Sequence, residues 1–514
     1  MADGQMDHDG GSELIVDLFA GAGGASAGIE DAVRAPDIAI NHNPVAIAVH
    51  KANHPLARHY MADVFEVEPL EATRGRPVGI LWASPDCRHH SKAKGGKPRD
   101  KRIRGLAWVI VRWAYATRPR TIFMENVEEF REWGPLDAGN MPIKALRGRT
   151  FEAFCAVMSS GLRMDHPDMP EIIAAIGDHV PLSALMRGLG YNVDFKELVA
   201  ADYRTPTIRK RLYGVMQRDG EPVTWPSPSC FRNPARGQAG WASAAECIDW
   251  RDHGSSIFGR KRPLAKASQR RIARGFWRHV VNTDKPFIVP WQHPGQGIPA
   301  SGYRGDGAAQ PIEAASMFLE QANGGFYDGE GRSLAAPVST IVGSGSQQRL
   351  VSAYLVKYYR DGGQLAALDE PMHTLPTKGR MAIVEILQED PGALPPDLAR
   401  KARQCARFLH RWLPEHFGQP AGIVLVNGYA VVDITFRMLK PEELKRAQGF
   451  REDYILDRGL FFDPQSGREE WRAITKTEQV KLIGNSVCRQ VAEALVRANA
   501  GASKAIHQPG KRAA

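Results

Sequence analysis

Glu13-Leu14-Ile15-Val16-Asp17-Leu18-Phe19-Ala20-Gly21-Ala22-Gly23-Gly24-Ala25-Ser26-Ala27-Gly28 is the stretch that decides the fold. Its first half is a near-continuous apolar run, the pattern of a parallel strand buried on both faces. A glycine-rich turn follows, then small residues that open a helix. Glycine lets backbone N–H groups approach a ligand closely, the device of nucleotide-binding α/β folds. A tight turn with no ligand is the alternative for the same pattern. A second strand, Asp37-Ile38-Ala39-Ile40, ends in Asn41-His42-Asn43 before a helix from Pro44 to Ala52, and polar side chains there can hold ribose hydroxyls. A third strand end, Ala62-Asp63-Val64, can reach an adenine amino group.

Composition sets the frame around this element. A chain of 514 residues holds two or more domains, each able to bury its own core. Its 43% hydrophobic and 24% charged residues are those of an ordinary globular protein. No apolar run reaches the roughly 18 residues of a membrane span, and Met1 to Ser12 lacks the pattern of a signal peptide, so a cytoplasmic protein is expected. Six cysteines lie far apart without a CxxC pair, which argues for a reduced compartment and against structural zinc. The net charge of +10 favours an anionic partner, nucleic acid being the commonest.

Leu81-Trp82-Ala83-Ser84-Pro85-Asp86-Cys87-Arg88-His89-His90-Ser91 ends an apolar run with a lone cysteine beside cationic groups. A neighbouring Arg or protonated His lowers a thiol pKa, and a strand-to-loop junction leaves the sulfur reachable. Cys87, His89 and His90 as metal ligands, or as an inert surface patch, are the other readings of this stretch. Eight cations from Arg88 to Arg104 are interrupted by Gly95-Gly96, Pro98 and the single acid Asp100, so a loop is expected. Further on, Arg120-Thr121-Ile122-Phe123-Met124 delivers Glu125-Asn126-Val127 to the same strand-end face as Cys87. In Thr207-Ile208-Arg209-Lys210-Arg211, the two arginines at i and i+2 share one strand face.

Together these residues resemble the C5-cytosine-specific DNA methyltransferases. Asp17-Leu18-Phe19-Ala20-Gly21-Ala22-Gly23-Gly24 is similar to the first motif of that family, the loop that binds S-adenosylmethionine, and not to the GxGxxG of nicotinamide folds. Ser84-Pro85-Asp86-Cys87-Arg88-His89-His90-Ser91 resembles Ser-Pro-Pro-Cys-Gln-x-Phe-Ser, with Asp86, Arg88 and His90 departing from it. The resemblance makes Cys87 the nucleophile. Glu125-Asn126-Val127 matches the ENV motif, and Pro206 to Arg211 resembles Pro-Gln-x-Arg-x-Arg with Thr207 for Gln. The catalytic set it implies is Cys87, Glu125, Arg209 and Arg211. The implied cofactor contacts are Asp17, Phe19, Ala20, Gly21, Gly23, Gly24, Asn41, His42, Asp63, Pro85, Asn485 and Ser486, the last two in the final motif Gln479 to Val487. No metal is implied. The basic loop after Cys87 takes the position of the family's mobile catalytic loop.

From Trp225 the character changes. A Pro-Ser linker leads into a region rich in Gly, Pro and Arg, with a basic segment from Arg260 to Arg278 that suits a phosphate-facing surface. A weak repeat, with units beginning at Pro286, Met317 and Ala353, suggests short β units with exposed loops.

The expected architecture is therefore a Rossmann-like α/β methyltransferase domain, residues 1–225 and 431–500, with an inserted, largely β or irregular target-recognition domain at 226–430 and a disordered tail at 501–514. The implied activity is transfer of a methyl group from S-adenosylmethionine to C5 of a cytosine flipped out of double-stranded DNA, through a covalent Cys87 adduct. A monomer is expected, with no membrane partner and with room for a cognate restriction endonuclease. A tRNA cytosine-5 methyltransferase and a catalytically inactive DNA-binding homologue are the alternatives.

Overall fold

The computed structural model describes residues 12–86, 105–284, 286–289, 347–358, 364–418 and 422–500, with the backbone of 318–322 and 332–333. Cys87, the basic stretch to Arg104, most of the first two repeat units beyond Val289 and the tail at 501–514 lie outside these residues. The chain divides into two compact units, one formed by residues 1–230 and 448–514, the other by residues 231–447.

In the first unit the strands are β1 (Leu14–Leu18), β2 (Ile38–Ile40), β3 (Arg58–Tyr60), β4 (Val78–Ala83), β5 (Thr121–Asn126), β6 (Asn192–Val199) and β7 (Lys210–Gln217), in the order β3-β2-β1-β4-β5-β7-β6. Strands β1 to β5 pair in parallel, and β7 runs antiparallel to both neighbours. This is the Rossmann-like sheet that the alternation of strands and helices predicts. The central strands β1, β4 and β5 are buried throughout, as two covered faces require. Trp108 and Trp113, on the helix Trp108–Thr117, lie in the core and not at a surface.

The order reverses between β1 and β4. That reversal opens a crevice at the carboxyl ends of the two strands, the place where open α/β sheets bind ligands. The glycine loop after β1 and Ser84-Pro85-Asp86 after β4 both stand there.

The end of the chain closes this region. Helix Arg489–Asn499 packs along helix α1 (Gly24–Ala32), burying Val491, Ala492, Leu495 and Val496 against Ile15, Ala25, Ile29 and Ala32. Two glycines make the approach possible. A Cβ on Gly24 would meet Ser486 Oγ and the Val487 carbonyl at 2.2 Å, and one on Gly28 would meet the Arg489 carbonyl at 2.3 Å. Arg489 anchors the contact, ion-paired to Asp31 and donating from Nε to the Gly449 carbonyl at 2.9 Å.

The second unit is built on an antiparallel sheet. Its central strands, Gln347–Lys357, Met381–Glu389 and Tyr429–Met438, pair in succession. Helices Lys266–Phe276 and Pro396–Trp412 pack on one face, against Tyr354, Val356, Val384, Ile386 and Ile434. The sequence reading expected β units here, and the long second helix was hidden by its Pro-rich surroundings. It begins at Pro396, where a missing N–H is tolerated, and buries Ala402, Cys405, Ala406 and Leu409 at helical spacing. The return to the first unit comes at Gln448, not at 431, because Tyr429–Met438 is paired along its length to Met381–Glu389.

Gly28→Ala is expected to destabilise the first unit by about 1–3 kcal/mol through overpacking. Thermal unfolding checks it, and an unchanged midpoint would mean that the two helices can separate freely.

Candidate active site

Leu18 ends β1, and the chain turns at Phe19 with φ +64°, a left-handed conformation that is uncommon for an aromatic residue. The Ala20 N–H donates to the Ile40 carbonyl at 3.0 Å, which ties the loop to the end of β2. The three glycines of the loop then separate by role. Gly23 (φ +84°) caps α1 beneath Tyr454, whose hydroxyl donates to the Ala22 carbonyl at 2.8 Å, and a Cβ on Gly23 would lie 2.1 Å from that hydroxyl. Gly24 is held by Ser486 and Val487. Among the described residues, chain neighbours aside, no heavy atom lies closer than 4.0 Å to a Cβ placed on Gly21. A glycine loop at the switch point and at a helix start fits the polar end of a nucleoside-type cofactor.

The other residues assigned to the cofactor are distributed as follows. Asn41 is half-buried after β2 and accepts from the Asn43 N–H at 2.8 Å, while His42 is exposed. Asp63 accepts from the Phe65 N–H at 3.1 Å. Pro85 is buried, and its carbonyl accepts from Asn126 Nδ2 at 3.2 Å, so the loop that leads to Cys87 is pinned to the end of β5. The final motif, Gln479 to Val487, lies within and just beyond the helix Lys476–Asn485. A capping box, Thr475 with Glu478, starts that helix earlier, so Asn485 is its exposed last residue and buried Ser486 forms the corner to Arg489–Asn499.

Asp17 has a different environment. It is buried on β1 and accepts from Ser26 Oγ at 2.6 Å. His50 Nε2 lies 2.9 Å from the same hydroxyl, and His50 Nδ1 lies 2.9 Å from His59 Nε2. Because Ser26 donates to Asp17, His50 donates to Ser26 and accepts from His59, a single-file chain of protons directed at the carboxylate. Burial pushes the Asp17 carboxyl up to about 7, against the lowering effect of Ser26. Burial, with neighbouring positive charge, brings His54 and His59 down to about 4 and His50 well below its ordinary value. The sequence reading did not find these histidines, which lie on the helix Pro44–Asn53, just after it and on β3. His50 and His54 at i and i+4 were the available signal.

At the end of β5, Glu125 is 7% exposed. Arg209, just before β7, and Arg211, on it, both reach Glu125 Oε1, at 3.5 and 3.3 Å. Arg209 also donates to the Gly484 carbonyl at 3.2 Å, which links this pair to the C-terminal helices. The antiparallel insertion of β7 beside β5 is what brings the arginines to the carboxylate. Glu125 Oε1, Thr207 Oγ1 and Arg209 Nε are buried yet have no hydrogen-bond partner among the described residues. Buried polar atoms are normally paired, so three at one strand end point to a polar ligand. No cluster of three His, Cys, Asp or Glu that could hold a metal occurs among the described residues.

Residues 14–134 match the family model described as C-5 cytosine-specific DNA methylase. Two relatives are the Type II methyltransferase M1.HphI of Haemophilus parahaemolyticus, 25% identical over 223 residues, and the Type II methyltransferase M.AquIA of Picosynechococcus sp., 22% identical over 220 residues. Each match covers 42% of this chain, and 49% and 76% of the respective relative. The S. pombe Dnmt2 methyltransferase structure superposes with a TM-score of 0.42 at 13% identity, covering 94% of this chain and 97% of that one, a likeness that decides nothing about substrate. Over residues 14–134 the chain is thus similar to the C-5 cytosine-specific DNA methylases, and it spans about half the length of the first of these Type II relatives.

The buried network has a pH signature. Unfolded histidines take up protons below about 6.5, whereas His54 and His59 in the fold resist until about 4, so these rings cost stability as pH falls through that window. Asp17 acts oppositely, since its folded-state proton is retained to about 7 and its ionisation costs stability as pH rises from 3.8 toward that value. Asp17→Asn is expected to gain about 2–3 kcal/mol relative to wild type between pH ~5 and pH ~8, from urea unfolding. A relative loss at the higher pH would show that Asp17 ionises without penalty.

Proposed function

We propose that this protein is a DNA (cytosine-5)-methyltransferase that uses S-adenosylmethionine. The observation that carries the reading is the set of buried atoms around Glu125 that make no hydrogen bond among the described residues, at the same strand-end side of the sheet as the glycine loop at its switch point.

Cytosine C6 is a poor electrophile until N3 is protonated or strongly hydrogen-bonded. Glu125 as the carboxylic acid gives its proton to N3 while its other oxygen accepts from the exocyclic amine. Arg209 and Arg211 fix the carboxyl group in place. The Cys87 thiolate adds to C6, forming an S–C6 bond and pushing the electron pair of the 5,6 double bond onto C5. S-adenosylmethionine, held by the Phe19 to Gly24 loop with Ser486 behind it, supplies an electrophilic methyl group when bound. Once C5 carries the methyl group, a water molecule takes the C5 proton, the 5,6 double bond re-forms as the thiolate leaves C6, and N3 returns its proton to Glu125, so the enzyme is regenerated. Because C5 and C6 are stacked inside a duplex, the base must be flipped out for this chemistry.

Arg88 follows Cys87 in the sequence where the family has Gln, and a guanidinium near a thiol favours the thiolate, whereas a carboxylate such as that of Asp86 opposes it. The residues inserted at 231–447 would read the DNA site. No helix among the described residues is long and apolar enough to cross a membrane. We place the enzyme in the cytoplasm as a monomer, with a restriction endonuclease of the same specificity as the partner that the Type II names of its relatives suggest.

Native protein with labelled cofactor is expected to methylate duplex DNA and to form a covalent adduct with 5-fluorocytosine DNA. Cys87→Ser should abolish both, and Glu125→Gln should lower kcat by about 10²-fold or more. Label entering tRNA alone, or an equal adduct with Cys87→Ser, would overturn the reading.

A further inference from the structure

Two helices of the second unit carry cations along their solvent faces. On Lys266–Phe276 and the turn that continues it, Lys266, Arg270, Arg274 and Arg278 are exposed at intervals of four. On Pro396–Trp412, Arg400, Arg403, Arg407 and Arg411 are exposed at intervals of three and four. The opposite faces of both helices are buried against the sheet. The helices also touch, and their stripes meet. Trp412 Nε1 donates to Gln269 Oε1 at 3.2 Å, and the guanidinium carbons of Arg270 and Arg411 each lie 5.4 Å from the centre of the Trp412 ring.

In the free protein this arrangement is electrostatically unfavourable. Among the described residues none of the eight cations is ion-paired, the first helix holds no acid, and the second holds only Asp397. Like charges at i and i+4 repel, and Lys266 in the first turn opposes the helix dipole. Sheet packing holds the helices despite this, so the charge pattern is not needed for their stability. A polyanion lying along the face would relieve the repulsion. From Lys266 to Arg278 the stripe runs about 18 Å, the length of about five phosphates at roughly 3.4 Å per base pair along one DNA strand.

We propose that this two-helix face is a sequence-independent DNA-binding surface, which holds the phosphate backbone of duplex DNA apart from any reading of bases. The choice of DNA over other polyanions rests on the methyltransferase reading above. The surface supplies the non-specific affinity that lets an enzyme stay on DNA while it searches for its site.

The test measures binding of the full-length protein, without cofactor, to a duplex of about 30 A·T pairs, across a salt series. That duplex contains no cytosine, so binding is measured separately from methyl transfer. The slope of log K against log salt should become less negative by about 2–3 in Arg400→Gln/Arg403→Gln/Arg407→Gln, and by about 2 in Arg270→Gln/Arg274→Gln, at close to 0.9 per phosphate contact. Both variants replace exposed side chains, and unchanged thermal unfolding confirms that the fold is kept. Unchanged slopes in both variants would overturn the proposal. So would a slope change seen with an RNA hairpin and not with duplex DNA. If the slopes fall as expected while native protein fails to methylate DNA, the surface stands and the methyltransferase reading fails; the converse result separates them the other way.

Discussion

The close packing of Arg489–Asn499 on α1 is the contact on which the candidate site depends. It is a backbone-to-backbone approach, permitted by hydrogen at the α-carbons of Gly24 and Gly28, and it seats Ser486 against the first turn of α1. The loop after β1 is thereby fixed from behind by residues more than 400 positions later in the chain, through Ser486, Tyr454 and Arg489. Glycine in a binding loop is usually explained by ligand access. Among the described residues Gly21 has that freedom, whereas Gly23 and Gly24 are needed for packing.

Two polar clusters lie on this sheet, and they differ in how well they are satisfied. Asp17, Ser26, His50 and His59 form a continuous hydrogen-bonded chain that stiffens the junction of β1, α1 and the helix Pro44–Asn53. Around Glu125 the protein supplies charge but leaves donors and acceptors unused. A saturated network rigidifies a scaffold, whereas an unsaturated one at a strand end is prepared for a molecule that completes it.

Much of this was legible in the sequence because local pattern and tertiary demand agree. The apolar run at Leu14–Leu18, the glycine turn, and the strand that presents Glu125 each carry their own signal, and the spacing of Arg209 and Arg211 predicts their shared direction. What was not legible depends on distant parts of the chain. Nothing near Gly24 announces Ser486, and nothing near Asp17 announces His59. The helix Pro396–Trp412 was missed since the Pro, Gly and Arg around it obscure a short apolar stripe built largely of small residues. The boundary at 447 was obscured too, because the pairing that holds Tyr429–Met438 in the second unit's sheet is made with a strand some 40 residues earlier.

The interrupted layout of the first unit also governs how it can be made. Its α1 surface has no cover until the final helix has been synthesised, and the 231–447 segment comes between. At the usual 5–20 residues per second, roughly 25–95 s pass between synthesis of α1 and arrival of the helix that covers it. During that interval Ile29 and Ala32 are exposed to other nascent chains. The ribosome thus hands over a half-built sheet, and the inserted unit, whose strands and helices are contiguous in sequence, has time to fold first.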